Sequence, residues 1–284
     1  MSKILITGAT GFIGKALSTT LSACGYDLVL IGSANGDIAC PETLNKISDV
    51  DITHVFHLAG KTYVPDSWTN PNDFYRVNLF GTMNVLEFCK LRSIAMTFVS
   101  AYVYGHPESL PIKESSQTKP SNPYALSKRL AEEVCEFYAG VHGLAISVIR
   151  PFNVYGVGQD ERFLIPSIIR QAQTENTIVV QDLLPKRDYV FLEDLVMALL
   201  ATISPSKGYN VYNVGSGFSL SVKEVIDIIQ DVARTNKEIV SEKNVRSNEL
   251  VNVVADISKT RQMLGWQPQH SFREGVERMI GLNN

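Results

Sequence analysis

A tyrosine and a lysine stand four residues apart in the segment SNPYALSKRLAEE, as Tyr124 and Lys128. On an α-helix, side chains at this spacing lie on the same face. A phenol has an ordinary pKa of about 10, and nearby positive charge lowers it, so that the phenol exchanges a proton near neutral pH. The spacing therefore indicates a proton-transfer pair that acts on an alcohol oxygen. The alternative is an ordinary amphipathic helix that carries both residues.

A third polar residue, Ser100, follows an apolar run in the segment FVSAYVYG. That run predicts a buried strand, and open parallel sheets bind ligands at the carboxyl ends of their strands. A hydroxyl group at such a strand end could orient the reacting oxygen. We therefore expect Ser100, Tyr124 and Lys128 to form one catalytic group.

The segment GATGFIG places Gly8, Gly11 and Gly14 between a predicted first strand and a predicted first helix. Glycines let the backbone approach a diphosphate, whose charge is met by free N–H groups at the helix N-terminus. The spacing is G-x-x-G-x-x-G and differs from the common G-x-G-x-x-G fingerprint. Its place after a strand and before a helix predicts a dinucleotide site that includes Phe12 and Ile13.

The end of the second predicted strand, VLIGSAN, bears on the choice between NAD and NADP. An acidic residue there binds the adenine ribose hydroxyls, and a basic residue accepts the 2'-phosphate. Gly32, Ser33 and Asn35 carry neither charge, so Ser33 is expected to contact either cofactor. The absence of a carboxylate gives a slight lean to NADP, and the choice stays open at this point.

Apolar runs alternate with amphipathic helical patterns over residues 1–152. This alternation predicts an α/β fold, a Rossmann-type doubly wound parallel sheet covered by helices on both faces. The remaining residues, 153–284, have shorter elements and recurrent Pro and Gly, and predict a smaller, interleaved C-terminal substrate-binding lobe. Segments near 188–214 are expected to return to the dinucleotide-binding domain.

Composition excludes several classes of function. The 284 residues carry a formal net charge of -3 without a basic run, which argues against binding of nucleic acid or of an anionic membrane. No apolar stretch reaches the roughly 20 residues of a membrane span. The four cysteines lack metal-ligand spacing, so no metal site is expected. The N-terminal segment has no signal-peptide pattern, so we expect a cytoplasmic protein.

The motifs VFHLAG, VNLFGTMNVLE, FVSAYVYG, NPYALSK and RPFNVYG follow the glycine turn in this order. The chain thereby resembles the extended short-chain dehydrogenases/reductases of the NAD-dependent epimerase/dehydratase family, which act on nucleotide sugars. The resemblance continues through KRDYVFLEDL, YNVGSG and RSNELVNVVADISKTRQMLGW. It therefore spans nearly the whole chain.

The resemblance assigns roles to individual residues. Tyr124 is the expected acid/base, Lys128 its partner and a contact of the nicotinamide ribose, and Ser100 the residue that bonds the reacting oxygen. Further expected cofactor contacts are the adenine-clamp residues Asp37 and Ile38, and Leu58, Ala59 and Gly60 along the cofactor's path. Asn78 resembles an asparagine that stabilises the central strand–helix junction. The expected substrate-side residues are Tyr102, Asn153, Arg187 and Arg246.

Members of this family use hydride transfer for reduction, epimerization or dehydration. Sugar 4,6-dehydratases carry an acidic pair where this chain has Ala101 and Tyr102, so that reaction is not expected. The loop GKTYVPDSWTNP resembles the nicotinamide-side loop of 4-keto-6-deoxyhexose reductases, and the chain is short for a sugar 4-epimerase. We therefore expect reduction of an NDP-4-keto-6-deoxyhexose. The alternatives are NDP-hexose 4-epimerization of the UDP-glucose/UDP-galactose type and a non-catalytic NAD(P)-binding sensor or scaffold.

Two predicted helices, around residues 73–90 and 123–141, carry more apolar residues than one inward-facing stripe requires. Family members commonly dimerise by pairing these helices into a four-helix bundle, and we expect a homodimer of this kind. The residues that suggest it are Phe80, Met83, Phe88, Val134, Phe137 and Tyr138. Polysaccharide biosynthesis is the general expectation for the family.

Overall fold

Strands and helices alternate through the first part of the computed structural model, which describes residues 3–48, 51–204, 206–242 and 250–281. The elements of this part are β1 (Lys3–Thr7), α1 (Phe12–Ala23), β2 (Asp27–Ile31), α2 (Glu42–Asn45), β3 (Ile52–His57), α3 (Val64–Thr69), α4 (Pro71–Tyr75), α5 (Gly81–Arg92), β4 (Ala95–Val99), α6 (Pro123–His142) and β5 (Ile146–Pro151). A π-helical turn, Arg76–Phe80, connects α4 to α5.

The second part of the chain has shorter elements. They are β6 (Asn153–Tyr155), α7 (Leu164–Thr174), β7 (Thr177–Val180), β8 (Lys186–Arg187), β9 (Tyr189–Phe191), α8 (Leu192–Leu200), β10 (Tyr209–Val214), β11 (Leu220–Ser221), α9 (Val222–Ala233), β12 (Glu238–Ser241), α10 (Ser258–Leu264) and α11 (Phe272–Ile280). Within the described ranges, no helix is both long and apolar enough to cross a lipid bilayer.

Six parallel strands form the central sheet in the order β10-β5-β4-β3-β1-β2. One face packs against α5 and α6 through residues such as Leu86 and Cys135. The other face packs against α1 and α8 through residues such as Leu17 and Leu195. This parallel sheet with helices on both faces confirms the predicted α/β fold class.

The order in which strands are added to the sheet reverses between β1 and β3, because β2 lies on one side of β1 and the later strands lie on the other. Ligands of open α/β sheets bind at the carboxyl ends of the strands at such a switch point. Here His57, the last residue of β3, is buried between the hydroxyl groups of Thr7 (2.7 Å) and Thr82 (3.0 Å). Burial, with a contribution from the charge of Lys128, lowers the pKa of His57 to about 3, so the imidazole is neutral. This network fixes the ends of β1 and β3 relative to α5.

The segment expected to return to the sheet divides between two sheets. β10 pairs with β5 at the edge of the central sheet, whereas β9 pairs with β6 in a separate two-stranded sheet. A distinct apolar cluster, which includes Ile168, Ile226 and Val276, packs α7, α9 and α11 together. The division into residues 1–152 and 153–284 stays a prediction.

Asp188 joins three chain segments of the second part. Its buried carboxylate accepts hydrogen bonds from the Ser216 N–H (2.6 Å) and hydroxyl (2.7 Å), and from the N–H groups of Gly217 (3.0 Å) and Ala255 (3.0 Å). Buried donors must find acceptors, and an unmet one costs about 1–3 kcal/mol. One carboxylate therefore secures the turn after β10 and the segment before α10.

Asp188→Asn should lower the free energy of unfolding by roughly 2–4 kcal/mol, because one amide –NH2 group then faces two donors that lose their acceptor. A urea titration with an unchanged m-value measures this loss. Asp231→Asn is the matched control, since Asp231 pairs with Arg273 on the surface and such pairs contribute about 0–1 kcal/mol. Equal stability of the two variants would contradict the structural role of Asp188.

Candidate active site

The glycine turn between β1 and α1 leaves no room for side chains. Gly8 has φ +73°, and a Cβ atom on it would lie 2.6 Å from the backbone nitrogen of Ala59. A Cβ atom on Gly14 would lie 2.1 Å from the carbonyl oxygen of Gly8. Helix α1 starts after Gly11, without a side-chain cap or an acidic residue in the first turn among the described residues. Its first N–H groups therefore face the cleft as an anion site.

A cleft of about 1210 Å³ runs from this turn across the carboxyl edge of the sheet into the second part of the chain. This volume exceeds that of a typical single-ligand pocket, about 300–1,000 Å³. The cleft can therefore accept a dinucleotide and a second ligand together. It is lined by the predicted residues Gly8, Gly11, Phe12, Ile13, Gly14, Leu58, Gly60, Ser100, Tyr102, Tyr124, Lys128, Asn153 and Arg187.

Ser100 follows β4 directly, and its N–H donates to the carbonyl oxygen of Ile149 (2.8 Å). The side chain is buried, and within the described part of the chain its Oγ atom has no hydrogen-bond partner. An unpaired buried hydroxyl destabilises a fold unless another group satisfies it. Its position in the cleft makes a ligand oxygen the natural partner.

Helix α6 brings Tyr124 and Lys128 to the same cleft. Asn122 caps the helix by accepting the Ala125 N–H (2.8 Å), and Pro123 occupies the first turn. These features start the helix immediately before Tyr124. The cap therefore determines where the phenol lies.

Lys128, one helical turn after Tyr124, is buried. Its Nζ atom donates to the carbonyl oxygen of Val99 (2.9 Å) and lies 4.8 Å from the centre of the Phe98 ring. Burial lowers the pKa of Lys128 to about 8, against the opposing effects of Cys135 and Glu132. The lysine is thus hydrogen-bonded to the last residue of β4, directly before Ser100.

The charge state of Tyr124 differs from the sequence-based expectation. The ammonium group of Lys128, together with the positive charge of a bound cofactor, was expected to lower the pKa of the phenol, whereas burial by itself raises it. The reason is that the half-buried phenol packs beside the Phe74 ring (6.3 Å between centres), where the charged form is disfavoured. A phenol that holds its proton at neutral pH is suited to proton donation.

Asn78 connects the loop after β3 to α6. In the π-helical turn, its side chain accepts the Lys61 N–H (2.8 Å) and donates to the Lys61 carbonyl oxygen (3.0 Å) and to the Ser127 hydroxyl (2.8 Å). Ser127 in turn donates to the carbonyl oxygen of Tyr124 (2.7 Å). The expected junction role of Asn78 stays a prediction, and these contacts agree with it.

Several predicted cofactor residues are not among the residues that line the cleft in the described structure. Asp37 accepts the Ala39 N–H and pairs with Arg76, and these two interactions lower its pKa. Ile38 is buried against Gly81. Ser33 is exposed after β2, and Ala59 donates its N–H to the Thr7 hydroxyl (3.3 Å). Their assignment to the cofactor stays a prediction.

The substrate-side residues mostly have protein partners. Tyr102 donates its hydroxyl to the Gly105 carbonyl oxygen (2.6 Å), and Asn153 donates to that of Asp188 (3.0 Å). Arg187 donates to the Leu250 carbonyl oxygen (2.6 Å) while lining the cleft. Arg246 lies outside the described residues, so its expected contact is not described.

Arg162 and Phe163 line the cleft and were missed by the sequence analysis. Phe163 packs edge-on against Tyr63 (5.9 Å between ring centres), and the Arg162 guanidinium lies 4.4 Å from the Tyr63 ring centre. The segment QDERFLIPS that contains them has no spacing pattern. Only the fold brings it against the loop after β3.

Comparison with known proteins gives the family. The family model for the NAD-dependent epimerase/dehydratase family matches residues 4–215. The GDP-6-deoxy-D-mannose reductase of Pseudomonas aeruginosa is 32% identical, and the alignment covers 98% of this chain and 96% of that protein. A putative UDP-glucose 4-epimerase of Methanocaldococcus jannaschii is 30% identical, with 98% and 97% covered.

Among solved structures, RMD from Pseudomonas aeruginosa complexed with NADPH superposes with a TM-score of 0.90 at 32% identity. The superposition covers 99% of this chain and 96% of that one. Both the sequence match and the fold therefore extend over almost the entire chain. This protein belongs to the NAD-dependent epimerase/dehydratase family.

Proposed function

We propose that the protein reduces the 4-keto group of an NDP-4-keto-6-deoxyhexose, with NADPH as the preferred cofactor. The observation that carries this proposal is the unpaired, buried hydroxyl of Ser100 in the same cleft as Tyr124 and Lys128. A carbonyl oxygen placed there would satisfy the hydroxyl. A protonated phenol in the same wall could then complete the reduction.

The glycine turn fits a nicotinamide dinucleotide. A Cβ atom on Gly8 or Gly14 would clash with backbone atoms, and the open N-terminus of α1 offers N–H groups to a diphosphate. When bound, the nicotinamide nucleotide supplies the hydride. NADPH is favoured because the end of β2 lacks a carboxylate that would repel a 2'-phosphate. The NADPH bound by the similar structure supports the same choice.

The side chains divide the work at the reacting carbonyl. Ser100 donates a hydrogen bond to the oxygen, and Tyr124 transfers its proton to that oxygen as negative charge develops. Lys128 places its ammonium group beside the phenol at the strand end of Val99 and stabilises the phenolate that forms. Preorganised donors of this kind contribute typically about 2.7–4 kcal/mol each to transition-state stabilisation.

The residues next to Ser100 argue against dehydration. Ala101 and Tyr102 supply no carboxyl group for an elimination at C5 and C6. The similarity to a GDP-6-deoxy-D-mannose reductase supports reduction and makes GDP the first nucleotide to test. The similarity to a putative UDP-glucose 4-epimerase keeps 4-epimerization as the second candidate. We assign Tyr102, Asn153, Arg187 and Arg246 to the substrate side, and a cytoplasmic role in polysaccharide biosynthesis.

We also propose a homodimer formed by α5 and α6. Phe80, Met83 and Phe137 are 51%, 38% and 57% exposed. Phe137 also lines a shallow, mostly apolar groove, together with Leu79, Leu130, Glu133 and Val134. The expectation that Phe88 contributes to the dimer surface is wrong, because its side chain is 4% exposed and belongs to the core. Tyr138 donates its hydroxyl to Glu87, which links the two helices within one chain.

The purified protein should oxidise one NADPH for each GDP-4-keto-6-deoxymannose consumed, followed as the loss of nicotinamide absorbance. NADH, the dTDP-linked substrate, and UDP-glucose with UDP-galactose are assayed in parallel. Tyr124→Phe should lower the rate at least about 100-fold, because a positioned acid contributes about 10²–10⁴-fold. Interconversion of UDP-glucose and UDP-galactose without cofactor consumption would contradict the proposed reduction and support 4-epimerization.

Ser100→Ala should separate activity from stability. It removes a transition-state donor, so kcat should fall about 10²–10³-fold. It also removes an unpaired buried hydroxyl, so the free energy of unfolding should stay constant or rise by about 1 kcal/mol. Ser219→Ala is the control with the opposite pattern, because that hydroxyl has a partner in Asn252 (2.7 Å) outside the cleft lining. A normal kcat in Ser100→Ala would show that Ser100 takes no part in the proposed mechanism.

Phe137→Glu should convert a dimer of twice 31.4 kDa into a monomer in size-exclusion chromatography with light scattering. A second carboxylate in the groove lining, in addition to Glu133, would have to lose its water when two copies pair, which is costly. Met197→Glu is the control, since Met197 is 51% exposed on α8, away from this surface. A wild-type monomer, or a dimer that survives Phe137→Glu, would contradict the proposed interface.

A further inference from the structure

The catalytic geometry depends on how α6 is held against the sheet. Ser100 follows β4, whereas Tyr124 and Lys128 lie on α6, so their distances depend on the placement of one element against the other. The hydrogen bond from Lys128 to the Val99 carbonyl oxygen is one connection. A displacement of about 1 Å at a reacting centre can cost about 100-fold in rate. A second connection would therefore have a direct effect on catalysis.

A buried ion pair provides that connection one helical turn beyond Lys128. Glu132 is 0% exposed and lies on the same face of α6 as Lys128. Its carboxylate accepts hydrogen bonds from Arg150 on β5, at 2.9 and 3.2 Å from Nε and at 2.6 Å from Nη2. Arg150 is itself 5% exposed. The pair fixes α6 to the strand that neighbours β4.

Arg150 also reaches the segment that follows Ser100. Its Nη1 atom donates to the hydroxyl of Tyr104 (2.9 Å), and that hydroxyl donates to Oδ1 of Asn213 on β10 (2.6 Å). The Tyr104 ring packs against Tyr102, a residue of the cleft wall, with 5.6 Å between ring centres. The network therefore extends from α6 to the segment that follows Ser100.

Stability alone is a weak reason for such an arrangement. Desolvating two charges is costly, and well-packed apolar residues often replace a buried ion pair without loss of stability. The planar guanidinium of Arg150 instead binds Glu132 on α6 and the Tyr104 hydroxyl in the segment after β4 at fixed angles. Its geometry restricts position more than it increases the free energy of unfolding.

We propose that the Glu132–Arg150 ion pair, extended through Tyr104, positions α6 so that Tyr124 and Lys128 stay in register with Ser100. This inference rests on the proposed catalytic role of these three residues. Glu132 and Arg150 act through the catalytic side chains and are positioning residues. Neither is among the residues that line the cleft.

The network also influences the charge on Lys128. Among the described residues, the titratable groups that interact with Lys128 include Glu132 and Cys135 on α6 and His57 on β3. Burial disfavours the ammonium form, and the charge of Glu132 favours it. Glu132 is the carboxylate in this set, and its charge is balanced by Arg150 and, at 4.0 Å, by Arg129. Removing Glu132 should therefore lower the pKa of Lys128, and removing Arg150 should raise it.

The first test uses the cofactor-free protein and does not depend on turnover. Lysine Cε carbons are labelled with ¹³C, and the Lys128 resonance is assigned by its loss in Lys128→Met. Glu132→Gln should lower its titration midpoint by roughly one pH unit, because a negative charge is removed next to the ammonium. Arg150→Met should raise the midpoint, and the double variant should return towards the wild-type value. Shifts in the same direction in both single variants, or an unchanged midpoint in Glu132→Gln, would overturn the inference.

The second test measures catalysis in the wild-type and variant holoenzymes. Glu132→Gln should lower kcat roughly 10- to 100-fold per folded molecule, while KM for the sugar nucleotide changes less than about threefold. Asp227→Asn, in the exposed pair with Lys223, makes the same chemical change on α9 and should leave kcat unaltered. A wild-type enzyme inactive on every nucleotide sugar would refute the proposed function, whereas the NMR titration would still test the network.

Tyr104→Phe tests the same network if Glu132→Gln does not fold. It deletes only the hydroxyl between Arg150 and Asn213 and leaves the ion pair in place. We expect kcat to fall at least about threefold, with a circular dichroism spectrum like that of the wild type. Normal kcat in folded Tyr104→Phe, together with normal kcat in any folded Glu132→Gln, would reduce the network to a structural role.

Discussion

The site depends on keeping one ammonium group, that of Lys128, charged in the interior of the protein. Transfer of an unpaired charge from water to such a place is costly, and proteins offset the cost with hydrogen bonds and opposite charges. The carbonyl oxygen of Val99, the face of the Phe98 ring and the nearby Glu132 supply these interactions. Burial nevertheless lowers the pKa of Lys128 to about 8. The charge is therefore retained at neutral pH by a small margin.

This requirement explains why β4 and α6 are joined so closely. The carbonyl oxygen that receives Lys128 belongs to the residue before Ser100, so the same contact brings the serine and the helix together. Gly60 is needed opposite them, because a Cβ atom there would lie 2.9 Å from Asn78 Oδ1 and 3.3 Å from Lys128 Nζ. The parallel sheet then places the glycine turn at the same edge. One cleft consequently contains both an anion site and a proton donor.

The sequence predicted the features that depend on local spacing. Four-residue spacing placed Tyr124 and Lys128 on one helix face, and the glycine spacing indicated a turn before a helix. The same spacing extends to Glu132, so the positioning residue on α6 was within reach of sequence analysis. Its partner Arg150 lies 18 residues further along the chain, and no local pattern connects the two.

Long-range packing and desolvation account for what the sequence did not reveal. Asp37 pairs with Arg76, which lies 39 residues away, and residues 189–191 pair with β6 because the second part of the chain builds its own small sheets. Burial raises the pKa of Tyr124, whereas a neighbouring charge read from sequence predicted the opposite direction. Phe88 turned inward although its spacing suggested the surface. Each of these outcomes depends on elements that are distant in sequence.

The most direct test of the account is whether hydride passes from the cofactor to C4 of the sugar. NADPH deuterated at C4 of the nicotinamide, in separate pro-R and pro-S forms, is incubated with the enzyme and GDP-4-keto-6-deoxymannose. The account predicts that one of the two forms gives a product with a full deuterium at C4 of the sugar, with one NADP⁺ formed for each product. A product free of deuterium at C4 with both forms, or turnover without net oxidation of NADPH, would contradict it.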